Sequence, residues 1–399
     1  MTLSINWRSG LYSLLLFAYP ALLPLSFTAA DQPLLLLSVL GLYGLLTQRP
    51  KPSLSTIERN ALAGLGLLAL AGLASLLHAG ASSRQMVPYL CPLLALLFFP
   101  LARSNRLRSA VAWWALVVGL LMSAGYATWQ VAILHMPRAV GHHFPNTYGA
   151  LALLMLAPLL GAWPILGRQG ASRLGLAIGI ASGLTTIVLS GSRGVWLVAI
   201  ALGVWRFSGH SYRRRLLVLT LAALVLLATL TIPELAARWQ AAQQDLQLYG
   251  QGNADSSIGL RFVMWRAAWE AWLAHPLLGL GLDGFAPWLA AMAQRGDGPQ
   301  TLLQHGHAHN DLLNALATGG LLGLLGLLAA LYLPWRAFRQ RASLGGVQQQ
   351  AAARAGQLLV LGIALLGLSD TMFVHRFLLT WYAVSVVLLL AWSGQPEQD

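Results

Sequence analysis

Two arginines and a short run of histidines are the side chains best equipped for chemistry in this chain. Arg193 stands in Ser190-Gly191-Ser192-Arg193-Gly194, and Arg261 in Gly259-Leu260-Arg261-Phe262, with Trp265 one turn further on. A guanidinium is planar, permanently charged and able to donate two parallel hydrogen bonds, so such residues suit phosphate. His305, His307 and His309 alternate in Gln304-His305-Gly306-His307-Ala308-His309-Asn310-Asp311. Three readings of them are open. Histidines at every second position of an extended segment can face one way and hold Zn²⁺, although no cysteine and few carboxylates are near. An imidazole titrates near neutral pH and can take a proton from a hydroxyl. His309 is best placed for that role, where a loop gives way to an apolar run. The third reading is a set of polar residues at a membrane interface. Asp31 is an alternative base or an ordinary loop acid. His142 and His143, with Arg138, either line a sugar or phosphate site or cap a helix.

What is missing narrows the chemistry. There is no Asp-x-Asp, no Walker loop and no Gly-x-Ser-x-Gly. An enzyme that grips a diphosphate through a divalent metal is therefore disfavoured, and arginines would have to neutralise the leaving group themselves.

These residues must be positioned by a membrane-embedded framework. Of 399 residues, 57% are hydrophobic and 9% charged, where a soluble domain carries about 25% charged residues. Apolar runs recur along the whole length, and we read twelve spans: 11–29, 33–47, 60–78, 86–102, 110–132, 147–166, 174–191, 193–208, 215–232, 311–334, 357–373 and 377–394. The first resembles a signal peptide, with Arg8 before it and Thr28-Ala29-Ala30 after it, but its length favours a retained span. The net charge of +13 does not point to nucleic acid, because the basic residues lie in short loops between spans. Alternate short loops carry 17 basic residues in one set and 4 in the other. The positive-inside rule then puts both termini in the cytoplasm. Cys91 lies within an apolar run and has no second cysteine to pair with.

The organisation expected is 1–232 as spans one to nine, 233–310 as a periplasmic loop with amphipathic helices, and 311–399 as spans ten to twelve with a short cytoplasmic tail. The loop holds half of all the carboxylates, and connections this long are usually functional. Helices are expected from Glu234 to about Leu248 and from Gly259 to Ala274. On a helical wheel Arg261, Phe262, Trp265, Trp269 and Trp272 share an arc of about 100°, with Arg266 and Glu270 beyond it as an i,i+4 pair. A tryptophan belt at the membrane surface accounts for the aromatics. Arg261 shares their buried face, where a charge wants an anion or else snorkels. Arg193 opens a span that either ends at Arg206 after about 20 Å, short of a ~30 Å core, or runs on toward Tyr212 with no deficit; in the first case an arginine within membrane depth is a functional candidate. Glycines 319, 320, 323 and 326 suit close helix packing in lipid, which would give His309 a firm support. The stretch Gly345–Ala355 reads as a cytoplasmic linker.

In combination these motifs resemble the bacterial O-antigen ligase family. His309-Asn310, nine residues and Gly320-Leu321-Leu322-Gly323 match its signature. The Ser190–Gly194 and Gly259–Trp265 stretches look like its two outer arginine motifs. His275-Pro276-Leu277-Leu278-Gly279-Leu280-Gly281 with Phe285 is similar to a further one. The resemblance implies an all-α integral membrane protein, like the C-type glycosyltransferases, in the bacterial inner membrane with a periplasmic site. It implies an undecaprenyl-diphosphate-linked O-antigen donor, a lipid A–core acceptor, surrounding membrane lipids, inversion at the anomeric carbon, and no metal or other cofactor. Arg193 and Arg261 would bind the diphosphate and His309 would activate the acceptor hydroxyl, with Asn310, His142 and Arg138 as supporting residues. O-linked protein oligosaccharyltransferases and O-antigen polymerases of the same superfamily are the alternatives. The short tail and the histidine motif favour the ligase. A polysaccharide or lipid transporter would show interrupted helices in paired halves, which the sequence does not clearly display.

Overall fold

Long leucine- and alanine-rich runs favour helix by propensity, and hydrocarbon enforces it, because every backbone N–H and C=O must be satisfied within its own segment. The computed structural model describes residues 7–47, 53–79, 83–104, 109–167, 170–207 and 233–395, with isolated positions between 212 and 231, and no strand occurs among them. Among the described residues, seven helices are long and apolar enough to cross a membrane. They are Phe27–Thr47, Thr56–Ala79, Met86–Arg103, Ser109–Ile133, Gly170–Leu189, Asp311–Arg341 and Arg376–Ser393. Gly10–Leu22 and Pro145–Gly161 are apolar but shorter, and Arg193–Phe207 covers the eighth expected span in 15 residues. The ninth expected span, 215–232, lies for the most part outside the described residues.

Helix Arg376–Ser393 is the axis of the bundle, with 94% of its length buried inside the protein. Its indole Trp381 Nε1 donates to Leu154 O (3.1 Å) and its Tyr382 hydroxyl to Ala330 O (2.6 Å). Peripheral helices bury less and turn leucines such as Leu46 and Leu77 outward, as a lipid-facing surface requires. Gly64 lies against Ala329 O and Gly326 against the Ala71 side chain, so small residues do let Thr56–Ala79 and Asp311–Arg341 approach closely.

Two expectations change. The span expected at 357–373 is a helix over Val347–Leu366. The apolar run continues past it, but Gly367 caps the helix and residues 367–375 form a loop. The first turns come from Gly345–Ala355, read as a linker, whose Ala351, Ala352 and Ala353 are fully buried. The second change concerns the glycine run. Gly320 breaks helix Asp311–Arg341, with φ 59° and ψ −152°. The segment His275–Gly281 lies across the break. Leu280 N and Gly281 N donate to Ala317 O and Thr318 O, while Leu321 N and Leu322 N donate to Pro276 O and Leu277 O. A Cβ at Gly320 would stand 2.4 Å from the Leu277 carbonyl carbon. The two glycine-bearing motifs are thus two sides of one joint, which satisfies the backbone groups that the break releases.

The expected periplasmic segment has a small core of its own. Pro233–Gly250, Ser257–Ala274 and Phe285–Arg295 are helices, and Met264, Ala268, Phe285, Leu289 and Met292 pack together with Ala308 and Ala317. The Ser257–Ala274 helix buries Val263, Met264, Ala267, Ala268 and Ala271 rather than its tryptophans. Close packing selects the small side chains. The tryptophan arc flanks this face, with Trp269 exposed, and Arg261 sits at the border between the two.

Candidate functional site

The loop 367–375 and the residues just before Asp311 are tied together atom by atom. The Asp311 carboxylate accepts from Met372 N and Phe373 N (both 3.1 Å), and Asp311 N donates to Gly367 O (2.7 Å). Asn310 caps its helix by accepting from Leu313 N (3.1 Å), and its amide donates to Leu368 O (3.0 Å). Ala308 N donates to Asn314 Oδ1 (3.1 Å). Between these anchors His309 adopts φ 48°, a left-handed conformation that costs on the order of 1 kcal/mol and persists only when its surroundings enforce it.

That conformation brings His309 Nδ1 to 2.8 Å from Asp370 Oδ1. The carboxylate also accepts from Thr371 N (2.8 Å). Burial raises the Asp370 pKa, but the hydrogen bond and charge of His309, the neighbouring His307 and the Thr371 N–H together outweigh it and hold the group well below the usual carboxylate range. An ionised Asp370 fixes the His309 tautomer with Nδ1 protonated and leaves Nε2 as the basic atom. His307 stacks edge-on against His309 with centroids 4.3 Å apart and bonds the Thr371 hydroxyl through Nδ1 (2.9 Å). Burial, then repulsion from His309, lowers the His307 pKa to about 3.

Asp370 has a second side. Asn146 Nδ2 donates to Asp370 Oδ2 across a long 3.4 Å contact, Arg138 Nη2 donates to Asn146 Oδ1 (3.0 Å), and Arg138 Nε donates to Ser190 O (2.8 Å). The line from His309 therefore ends in the Ser190–Gly194 motif. Gly191 has φ 62°, and a Cβ there would meet Arg138 Nε at 3.0 Å; one on Gly194 would meet Ser369 Oγ at 2.8 Å. The small residues admit this arginine and the 367–375 loop to the backbone of the motif.

Asp370 forms part of the wall of a cleft of about 560 Å³ that four arginines share: Arg138, Arg193, Arg238 and Arg261. Arg193 donates to the carbonyl of Arg238. Arg238 Nε is buried with no hydrogen-bond partner, a demand that an oxygen-rich anion would satisfy. Burial, then the Arg238 and Arg193 charges, depress the Arg138 pKa to about 10. Helices Arg193–Phe207 and Ser257–Ala274 both begin at the cleft, adding the positive ends of two dipoles. Such a site stabilises a multiply charged anion, with a basic imidazole reached through one carboxylate.

The expected residues separate as follows. Arg193, Arg261 and Arg138 meet in the cleft, and His309 adjoins it through Asp370. Asn310 acts as a helix cap and tether. His142 stacks on Tyr126 (5.1 Å) and His143 on Phe27 (5.3 Å) and Phe377 (5.5 Å), away from the arginine cleft. Asp31 pairs with Arg376 at 2.8 Å. Asp370, Arg238 and the role of Asn146 escaped the sequence reading. Asp370 fell inside an expected span, although a lone carboxylate in an apolar run was itself a signal.

Residues 178–328 match a family model described as O-antigen ligase. This stretch includes Arg193, Arg238, Arg261, His309 and the Gly320 break. A curated protein of Haemophilus influenzae, described as uncharacterized, is 29% identical over 174 residues, covering 42% of this chain and 44% of that protein. The chain thus matches less than half the length of this relative.

Proposed function

We propose that this chain, a member of the O-antigen ligase family through residues 178–328, transfers O-antigen polysaccharide from undecaprenyl diphosphate to a sugar hydroxyl of the lipid A–core oligosaccharide. The end of the bundle that carries Arg193 would face the periplasm, in keeping with the 17 basic residues of the other set of short loops and the 4 of this one. Four guanidiniums round one cleft, with the His309–Asp370 pair in reach of its wall, carry this reading.

The division of labour follows from the charges. His309 Nε2 takes the proton of the acceptor hydroxyl as its oxygen attacks the anomeric carbon. Asp370 stabilises the imidazolium that forms. The bond from the anomeric carbon to the diphosphate oxygen breaks on the opposite face, which inverts the configuration. The electron pair leaves with undecaprenyl diphosphate, whose growing charge meets the arginines. Interactions that strengthen as the leaving group departs accelerate the step itself, and the arginines supply them without a divalent metal. The base and the anion cleft share Asp370, so the two substrates would meet at that residue.

The decisive experiment replaces His309 with Ala in cells that make O-antigen. Lipid-linked polymer should accumulate, and polymer-capped lipopolysaccharide should vanish from a gel. Persistent capping with the protein at normal level would overturn the role of His309. Transfer by the purified protein should also survive a chelator; its abolition would overturn the metal-free reading.

A further inference from the structure

We propose that Phe27, Asp31, His143, His375 and Arg376 form a subsite that seats a neutral sugar of the acceptor near His309. That the bound sugar receives glycan rests on the transfer reading above; that a sugar binds here does not.

The five residues come from three separate stretches of the chain. Phe27 and Asp31 stand one turn apart on helix Phe27–Thr47, so their side chains are neighbours. The buried Phe377 ring backs Phe27, with centroids 4.0 Å apart and planes 6° from parallel. The exposed His143 ring stacks against both, at 5.3 and 5.5 Å. His375 lies 6.0 Å from Phe377 and 6.0 Å from His307, which in turn lies 4.3 Å from His309. Rings therefore follow one another without a gap from an exposed loop to the base. Arg376, between His375 and Phe377 in the chain, reaches the Asp31 carboxylate at 2.8 Å.

The chemistry of this face suits a sugar. A pyranose has an apolar face of C–H groups and a rim of hydroxyls that each donate and accept. Aromatic walls with a few placed polar groups match such a ligand. The Asp31 and Arg376 side chains are 33% and 41% exposed, and among the described residues neither makes a second ion pair or hydrogen bond. Lone pairs of one and N–H groups of the other are left for hydroxyls. Burial lowers the His375 pKa to about 4, so its ring is neutral at pH 7, with one donor and one acceptor. One carboxylate balances one guanidinium here, whereas four guanidiniums border the arginine cleft. The cleft thus selects an anion and this face a neutral polar ligand. His309 touches the first through Asp370 and the second through His307. Two substrates of different charge can occupy separate sites that share one base.

The test uses the full chain in lipid nanodiscs, with lipid A–core lacking O-antigen as acceptor and its delipidated core oligosaccharide as binding probe. The wild type should bind the oligosaccharide saturably. Asp31→Asn should weaken binding about tenfold, as for one hydrogen bond to a charged group. His143→Ala should weaken it about threefold to tenfold, as for one ring contact. Arg261→Ala, which should impair transfer, should bind it as the wild type does. In a transfer assay Asp31→Asn and His143→Ala should raise the KM for the acceptor by the same factors and leave the KM for the lipid-linked donor unchanged. Transfer with the acceptor KM unmoved in both variants overturns the subsite and leaves the transfer reading intact, whether or not the melting temperature falls. Equal weakening of oligosaccharide binding by Arg261→Ala places the sugar in the arginine cleft and also overturns the subsite. Binding that Asp31→Asn and His143→Ala both weaken, with no transfer in any sample, supports the sugar site and overturns the transfer reading.

Discussion

Two groups of arginines occupy opposite ends of the helix bundle, and they differ in what balances them. At one end Arg103 and Arg341 share the carboxylate of Glu58, which is wholly buried. Glu58 also completes a reciprocal cap with Ser55, accepting from its N–H while its own N–H donates to the Ser55 hydroxyl. Arg341 also donates to Leu390 O and to the Ser393 and Ser55 hydroxyls. This knot joins the ends of four helices, and each of its two guanidiniums is paired to the carboxylate. At the other end Arg138, Arg193, Arg238 and Arg261 border one cleft. Among the described residues none of the four makes an ion pair, and the one carboxylate in the wall is bonded to His309. Arginines paired with a carboxylate of the protein hold the fold. Arginines left in excess hold a place for an anion that the fold does not supply.

The comparison is open to experiment at both ends. The largest effect is expected from Glu58→Gln, which strands a buried Arg341. Breaking a buried pair by removing one partner costs about 3–5 kcal/mol, so the melting temperature of the purified protein should collapse and its yield in membranes should fall. A change no larger than that of the cleft variants would erase the distinction. Arg193→Ala should do the reverse. Loss of one donor to a developing oxyanion costs about 10²–10³ in rate, whereas the melting temperature should hold or rise as repulsion with Arg238 and Arg261 is relieved. A fall in stability instead would make Arg193 a structural residue. Arg238→Ala should cost about tenfold to a hundredfold, from the roughly 1.5–3 kcal/mol of a hydrogen bond to a charged group, and chiefly as a higher KM for the lipid-linked donor. An unchanged KM would remove Arg238 from the cleft's function.

How far these ends were legible depends on what kind of signal marks them. The helical framework is written in long apolar runs, and Arg193, Arg261 and His309 stand out because each is a polar group where the local pattern has no use for one. Asp370 carried the same kind of signal. It was lost because the apolar run through Leu368 hides the Gly367 cap, so the loop looked like the end of a span. Arg238 stood in a helix with an otherwise ordinary polar surface, and only its approach to Arg193 gives it meaning. Gly320 shows the third case. Its spacing read as helix packing, whereas its positive φ and its joint with His275–Gly281 are tertiary facts that spacing does not encode. The Glu58 knot was equally invisible, since its partners lie 45 and 283 residues away.

The smallest effect offers the sharpest contrast, because it should have opposite signs in stability and activity. Ser257 lines the cleft and is the first residue of helix Ser257–Ala274. In Ser257→Asp a carboxylate would gain from the helix dipole by about 0.3–1 kcal/mol, and it would stand one turn before Arg261, spaced for an i,i+4 pair worth about 0.3–0.5 kcal/mol. The substitution makes the cleft resemble the Glu58 end. A melting temperature higher by about 1–3 °C would follow from a gain of about 0.6–1.5 kcal/mol in a chain of this size. Transfer should fall at the same time, because the new charge repels the diphosphate and occupies one of its guanidiniums. If stability and activity moved in the same direction, the excess charge of the cleft would not be reserved for an anionic substrate.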